Sequence, residues 1–339
     1  MEPIVLMQQK WGLTFNIPWY LFLGGLSGGT LMIAALADLL GGTRERYQYV
    51  SRMSAYITIP AIVLGGLFLT LHLGKPERGF AFTVFFTNYN SWLTLGGWVL
   101  GAFGPVGVAY AAAWYFNFNR KIRITLALLG LPLGALMSLY TGFLLSAAWT
   151  VPGGRWFVPL WDNRFLPVLF VLSGLSTGLA ACGLAVLAGR LWGRSSAEKS
   201  NEEVWAAAKV ASLMDVLAIL VEGTWVYLFL ASLAVGTLGQ QFAYNLVTGG
   251  VLAPWFWGGF VAIGLALPLL AGIIHTVWER YSHARLGWIL YAEFLLVLIG
   301  GLVLRYVVVW GGDMKAPLNF PPSMIPNVPT IPPIAGLGG

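Results

Sequence analysis

Eight runs of predominantly apolar residues dominate this chain and leave it few ways to fold. They fall at about 17–40, 54–73, 91–116, 122–148, 165–190, 207–235, 251–278 and 286–310. A helix that crosses a bilayer needs about 20 such residues, and every run is long enough. The runs are uninterrupted and lack the alternation of an outer-membrane barrel, so strands are not expected. Charged residues make up only 9% of the chain and hydrophobic residues 58%, whereas a soluble chain carries about 25% charged residues. So few charges cannot clothe a water-facing surface. Soluble enzyme, nucleic-acid binder and disordered scaffold are excluded as whole-chain descriptions. The predicted fold is an all-α, polytopic transmembrane helix bundle of about eight spans, solvated by membrane lipid.

Beyond Arg305 the sequence changes character, with DMKAPLNFPPSMIPNVPTIPPIAGLGG rich in proline and poor in charge. The chain therefore divides into a transmembrane helical domain, residues 1–310, and an extended Pro-rich C-terminal arm, residues 311–339. Such an arm lies on a partner or hangs free. The N-terminus shows no short basic and apolar signal with a small-residue cleavage site, so insertion is expected to begin with the first span. The one cysteine, Cys182, excludes an internal disulfide and a cysteine-ligated iron–sulfur cluster in this chain. Among Leu, Ala and Gly it reads as a buried structural thiol.

The net charge of +6 invites a nucleic-acid partner, but in a membrane protein excess Lys and Arg marks cytoplasmic loops. Twelve cations follow the odd-numbered spans: Arg44, Arg46, Arg52, Arg120, Lys121, Arg123, Arg190, Arg194, Lys199, Lys209, Arg280 and Arg285. Six lie on the other side: Lys10, Lys75, Arg78, Arg155, Arg164 and Lys315. This asymmetry places the odd loops in the cytoplasm and both termini outside. The outer side then collects the KPER loop, the WVPGGRW segment and the Pro-rich arm.

An ionisable group inside a span costs about 2.5–3.5 kcal/mol on insertion scales, so each is a candidate for function. The sixth span carries Asp215 and Glu222 in LMDVLAILVEGTW, two turns apart and so on one face. The eighth carries Glu293 near its cytoplasmic end and Arg305 near its outer end. Together they form a graded polar line from the cytoplasm outwards. One reading is a proton path; the other is a set of buried bonds that lock helices together. At the outer end of the second span His72 opens LHLGKPERGF, where Lys75, Glu77 and Arg78 follow. That cluster suits an anionic partner surface or the steering of a proton, or is simply a solvated helix end stopped by Pro76. At the same depth lie Asn16, Tyr20 and, in the fourth span, Tyr140.

In the first span Gly24 with Gly28, and Gly25 with Gly29, form overlapping small-residue pairs that permit close backbone approach. Helix packing and a flat ring lying on bare backbone are equally compatible with them. Haem is not expected: His72 lies nearly a bilayer away from His275 and His283, so it shares no iron with them. No nucleotide fingerprint, hydrolase elbow or metal motif is present.

FLGGLSGGTLMIAAL, LHLGKPERGF followed by NSWLTLGGW, LYTGFLLSAAW, LMDVLAILVEG and LRYVVVWGG together resemble the NrfD family, which includes the membrane subunit of polysulfide reductase. The resemblance runs from the first span to the eighth. It implies a haem-free anchor in a bacterial or archaeal inner membrane that binds menaquinone or ubiquinone near the outer face. It also implies an outer four-cluster iron–sulfur subunit, working with a molybdopterin catalytic subunit or a multihaem cytochrome. By the same resemblance the site tyrosine matches Tyr140 in LYTG, and a first-span histidine falls at Tyr20, with Asn16 nearby. That exchange keeps a hydrogen-bonding group but removes a base, which leaves His72 as a substitute for proton exchange. Lys75, Glu77 and Arg78 would then dock the partner. A secondary transporter or proton channel, and a purely structural anchor, stand as the alternatives. The first usually shows repeated halves, and no repeat is evident here.

Overall fold

The computed structural model describes residues 15–72, 92–147, 158–192, 198–278 and 287–314. The long helices are α1 (Asn16–Gly41), α2 (Glu45–His72), α3 (Trp92–Tyr115), α4 (Arg120–Ala147), α5 (Leu166–Trp192) and α6 (Glu198–Ala234). A short α7 (Leu238–Thr248) follows, then a π-helical segment (Pro254–Ala266) continued by α8 (Leu267–Trp278), and finally α9 (Gly287–Asp313). No strand occurs among the described residues. Among the described residues eight helices are long and apolar enough to cross a membrane, and the chain is a multi-pass integral membrane protein.

The order of burial shows where the core sits. The apolar window of α1 is 89% buried, those of α5 and α9 are 61% and 56% buried, and the other spans are 28% buried. α1 is thus the central post, packed against α2, α4, α5 and α9. The outer helices turn leucine-rich faces outwards, such as Leu64, Leu67 and Leu71 on α2 and Leu213, Leu217 and Leu220 on α6. Spacings of three and four residues make those faces continuous stripes, suited to lipid tails.

Two features depart from the expected spans. The sixth helix starts before residue 207 and runs for 37 residues, about 55 Å, well beyond a hydrocarbon core of about 30 Å. Its first turns, EKSNEEVW, are polar enough to stand in the headgroup layer. The seventh span is preceded by α7, whose 11 residues are too few to cross. Gln240 Oε1 accepts the Thr237 backbone N–H at 2.8 Å, which fixes the start of α7. Ala243 and Val247 bury its inner face. The bundle has an upper end, where α1 begins, and a lower end, where α1 finishes. Residues 311–313, expected to open the Pro-rich arm, instead complete α9, and the rest of the arm beyond residue 314 lies outside the described residues.

Candidate functional site

Glycines let the three inner helices close on one another. A β-carbon on Gly28 would meet Ser138 Oγ and the Gly134 carbonyl of α4. One on Gly29 would fall on the Gly174 carbonyl of α5. The Gly24/Gly28 pair thus faces α4 and the Gly25/Gly29 pair faces α5, and both serve helix packing. Ser138 Oγ sits at the junction and donates to the Gly25 carbonyl at 3.3 Å.

Just above this junction, at the upper end, two tyrosines meet. Tyr20 lies one turn into α1 and Tyr140 on α4, both buried. Their hydroxyls are close enough to interact, yet Tyr20 Oη completes no hydrogen bond. The pair offers two O–H groups in an apolar setting, which suits a ligand carrying carbonyl oxygens. Gly96 of α3 makes room for it, because a β-carbon there would lie inside the Tyr140 ring. Gly96→Ala is therefore expected to cost about 1–3 kcal/mol by overpacking. Most of that loss should vanish in a Tyr140→Ala background, a non-additivity that thermal unfolding in detergent would read. Additive losses would show that Gly96 does not act through the ring. Asn16 is the first residue of α1 and half-buried. His72 is the last residue of α2, and Lys75, Glu77 and Arg78 lie outside the described residues.

A second polar system runs between α5, α6, α8 and α9. Asp215, Glu222, Glu293 and Arg305 are all buried. Ser212 Oγ donates to Glu293 Oε1 at 2.7 Å, and Ser176 Oγ donates to Asp215 Oδ1 at 2.7 Å. Asp215 feels the charges of both Glu293 and Glu222. Glu222 in turn has the Ser173 hydroxyl and the Arg305 guanidinium acting on it. Arg305 Nη2 reaches the Phe170 carbonyl at 3.4 Å, and its Cζ stands 3.8 Å from the centre of the Phe170 ring. Oδ2 of Asp215, Oε1 of Glu222, Oε2 of Glu293 and two nitrogens of Arg305 complete no hydrogen bond. Towards the lower end His275 is buried on α8, within the field of Lys209.

The serines of this line carry no mark in the sequence. Hydroxyls are common in transmembrane helices and usually return to their own backbone, so nothing in sequence marks Ser173, Ser176 or Ser212 as carboxyl partners. Asp38, a further buried carboxylate not among the residues expected from sequence, does carry a signal there, since it falls inside the predicted first span. Asp38 is wholly buried at the lower end of α1. It accepts from Tyr110 Oη at 3.2 Å and stands 3.9 Å from Arg123 Nε. Arg123 Cζ lies 3.8 Å above the Trp114 ring. Among the described residues no three His, Cys, Asp or Glu side chains converge as metal ligands.

Comparison with known proteins sets these features in a family. A family model described as polysulphide reductase, NrfD, matches residues 5–317. A polysulfide reductase chain of Wolinella succinogenes is 27% identical over 91% of this chain and 99% of its own length. Protein NrfD of Escherichia coli strain K12 is 26% identical over 87% of this chain and 93% of its own. A putative dimethyl sulfoxide reductase membrane subunit of Halobacterium salinarum is 22% identical over 93% of this chain and 72% of its own. With a match from before α1 to beyond the end of α9, this multi-pass membrane protein belongs to the NrfD family.

Proposed function

We propose that this chain is the haem-free membrane subunit of a respiratory redox complex, and that it binds quinone or quinol between Tyr20 and Tyr140. The observation that carries the reading is the buried tyrosine pair with an unsatisfied hydroxyl, set at one end of the bundle with the Tyr140 ring seated on Gly96. A buried polar atom without a partner costs about 1–3 kcal/mol, so a bound acceptor is favoured there. When bound, a quinone supplies a two-electron, two-proton carrier. The chain's residues bind and orient it: Tyr20 and Tyr140 donate to its carbonyl oxygens, Asn16 borders the site, and His72 exchanges protons at the rim.

In this reading the upper end is the outer face of a bacterial or archaeal inner membrane, by the distribution of Lys and Arg. Both termini are outside. Lys75, Glu77, Arg78 and the Pro-rich arm beyond residue 314 meet a four-cluster iron–sulfur subunit, behind which stands a molybdopterin subunit or a multihaem cytochrome. The names of the relatives support such an assembly. Menaquinone and ubiquinone both fit the donor set.

Extraction of the complex from its native membrane tests this. About one quinone per chain should co-purify together with an iron–sulfur subunit. A chain that purifies without either is a structural anchor or a transporter.

Asp215, Glu222, Glu293 and Arg305 are proposed as a proton-holding line reaching up from the cytoplasmic end. Glu222→Gln should then retain bound quinone while charge movement per turnover falls, as read by a potential-sensitive dye in vesicles. An unchanged membrane potential at normal turnover would remove Glu222 from the mechanism.

A further inference from the structure

The phase of α1 separates the two polar systems. Eighteen residues are five whole turns of an α-helix, so Tyr20 and Asp38 stand on one face, about 27 Å apart along the axis. Ser27, about two turns below Tyr20, falls within about 20° of the same face. Gly25 and Gly29 point the opposite way, and it is there that α5 and Arg305 pack. The carboxyl line of α5, α6 and α9 therefore approaches the back of α1, whereas the tyrosine pair opens on its front.

That front carries polar groups of its own along α1, α2 and α3. At the lower end Tyr110 Oη reaches Asp38 Oδ2 at 3.2 Å and Ser51 Oγ at 3.1 Å. One and two turns further up α2 come Ser54 and Thr58, both buried. Thr58 Oγ1 bonds Thr30 Oγ1 of α1 at 2.9 Å, and Thr30 donates to the Ser27 carbonyl at 2.9 Å. Asp38 Oδ1, Ser54 Oγ and Tyr20 Oη are all buried without a hydrogen-bond partner. Asp38 Oδ1 and Tyr20 Oη stand at the lower and upper ends of this face of α1, and Ser54 Oγ, on α2, lies between them in height, beside Cys182 of α5.

We propose that this face of α1 delivers protons to the tyrosine pair, by a relay from Asp38 through Tyr110, Ser51, Ser54, Thr58 and Thr30. The inference rests on the reading of Tyr20 and Tyr140 as the quinone site. Asp38 takes up a proton from the lower end, where Arg123 Nε stands 3.9 Å from Oδ2. The Tyr110 hydroxyl, which donates to Oδ2 at rest, turns to give its proton to Ser51 and takes the carboxyl proton in exchange. At each later step one O–H bond breaks and one forms, and no electron moves. The net result is one proton removed from the lower side and one delivered at the upper site. Ser54 Oγ lies between Ser51 and Thr58 without a bond to either, and water is the link on both sides of it. Water completes the last stretch above Ser27, which is about two turns long. The relay thus serves the chemistry at the tyrosines, while the Glu222 line moves charge behind α1.

The test uses the complex isolated with its redox partners, reconstituted in vesicles, with reduced viologen dye and a short-chain naphthoquinone as probes. Asp38→Asn and Thr58→Val should each slow quinone-linked turnover at least tenfold with bound quinone unchanged, and Asp38→Glu should recover most of it. Thr58→Val leaves the Asp38–Arg123 contact intact, so it decides the matter if Asp38→Asn assembles poorly. Independently of turnover, infrared spectra of quinone-depleted protein should show a carboxyl band that shifts in D2O and is missing in Asp38→Asn. Wild-type turnover in Asp38→Asn or Thr58→Val beside a slow Tyr140→Phe overturns the relay and keeps the tyrosine site. Wild-type turnover in Tyr140→Phe overturns the site and the relay with it.

Discussion

Tyr140→Phe is expected to assemble normally and to lower quinol-linked turnover at least tenfold, about 1.4 kcal/mol of transition-state stabilisation. The substitution keeps the ring that fills the space beside Gly96 and removes only the hydroxyl. Packing is preserved, so the amount of folded protein should match the wild type. The lost group is one of two donors to the proposed quinone oxygens, in a setting where water does not replace it. Tyr20 would also lose its one neighbouring hydroxyl partner in this pair. Turnover of the purified complex with a naphthoquinol, measured at saturating probe, gives the answer. A rate equal to the wild type would take Tyr140 out of the site.

The largest effect on stability should come from Gly29. Its added β-carbon would coincide with the Gly174 carbonyl, a backbone atom that no rotamer change can move. Gly29→Val must therefore push α1 away from α5 along the most buried contact of the bundle. Overpacking at a side chain costs about 1–3 kcal/mol, and a backbone clash exceeds that range. No monodisperse protein is expected from detergent extracts. The matched control is Gly66→Ala on α2, where a β-carbon meets nothing within 4 Å. There the change should be neutral or stabilising by up to about 1 kcal/mol, as Ala is the better helix former. Equal yields of Gly29→Val and Gly66→Ala would show that α1 and α5 are not in backbone contact.

Much of the fold was legible in the sequence. Runs of some 20 apolar residues admit one structural solution in lipid, because backbone groups must be satisfied within the segment. Eight spans followed directly, and the cost of charge in a bilayer picked out Asp215, Glu222, Glu293 and Arg305 as residues to be buried. The family was legible too, in LHLGKPERGF, LYTG and LRYVVVWGG. Hydropathy says little about segments that are short or polar, so α7 and the early turns of α6 escaped it.

What tertiary structure alone decided is which buried groups meet. The glycine pairs of α1 were ambiguous in sequence, since a bare backbone suits a neighbouring helix as well as a ring. Only the positions of Gly134 and Gly174 settle that they face α4 and α5. Likewise the bonds from Ser176 to Asp215 and from Ser212 to Glu293 join residues 39 and 81 positions apart. No local periodicity encodes such a pairing. Asp38 lies 72 positions from Tyr110 and becomes its neighbour only when α3, packed on α2 and α4, carries the tyrosine across to α1. The bilayer dictates that each span is a helix and that charges turn inwards. Which charge faces which side of α1 depends on the rotation of one helix against another, set by contacts between small side chains far apart in the chain.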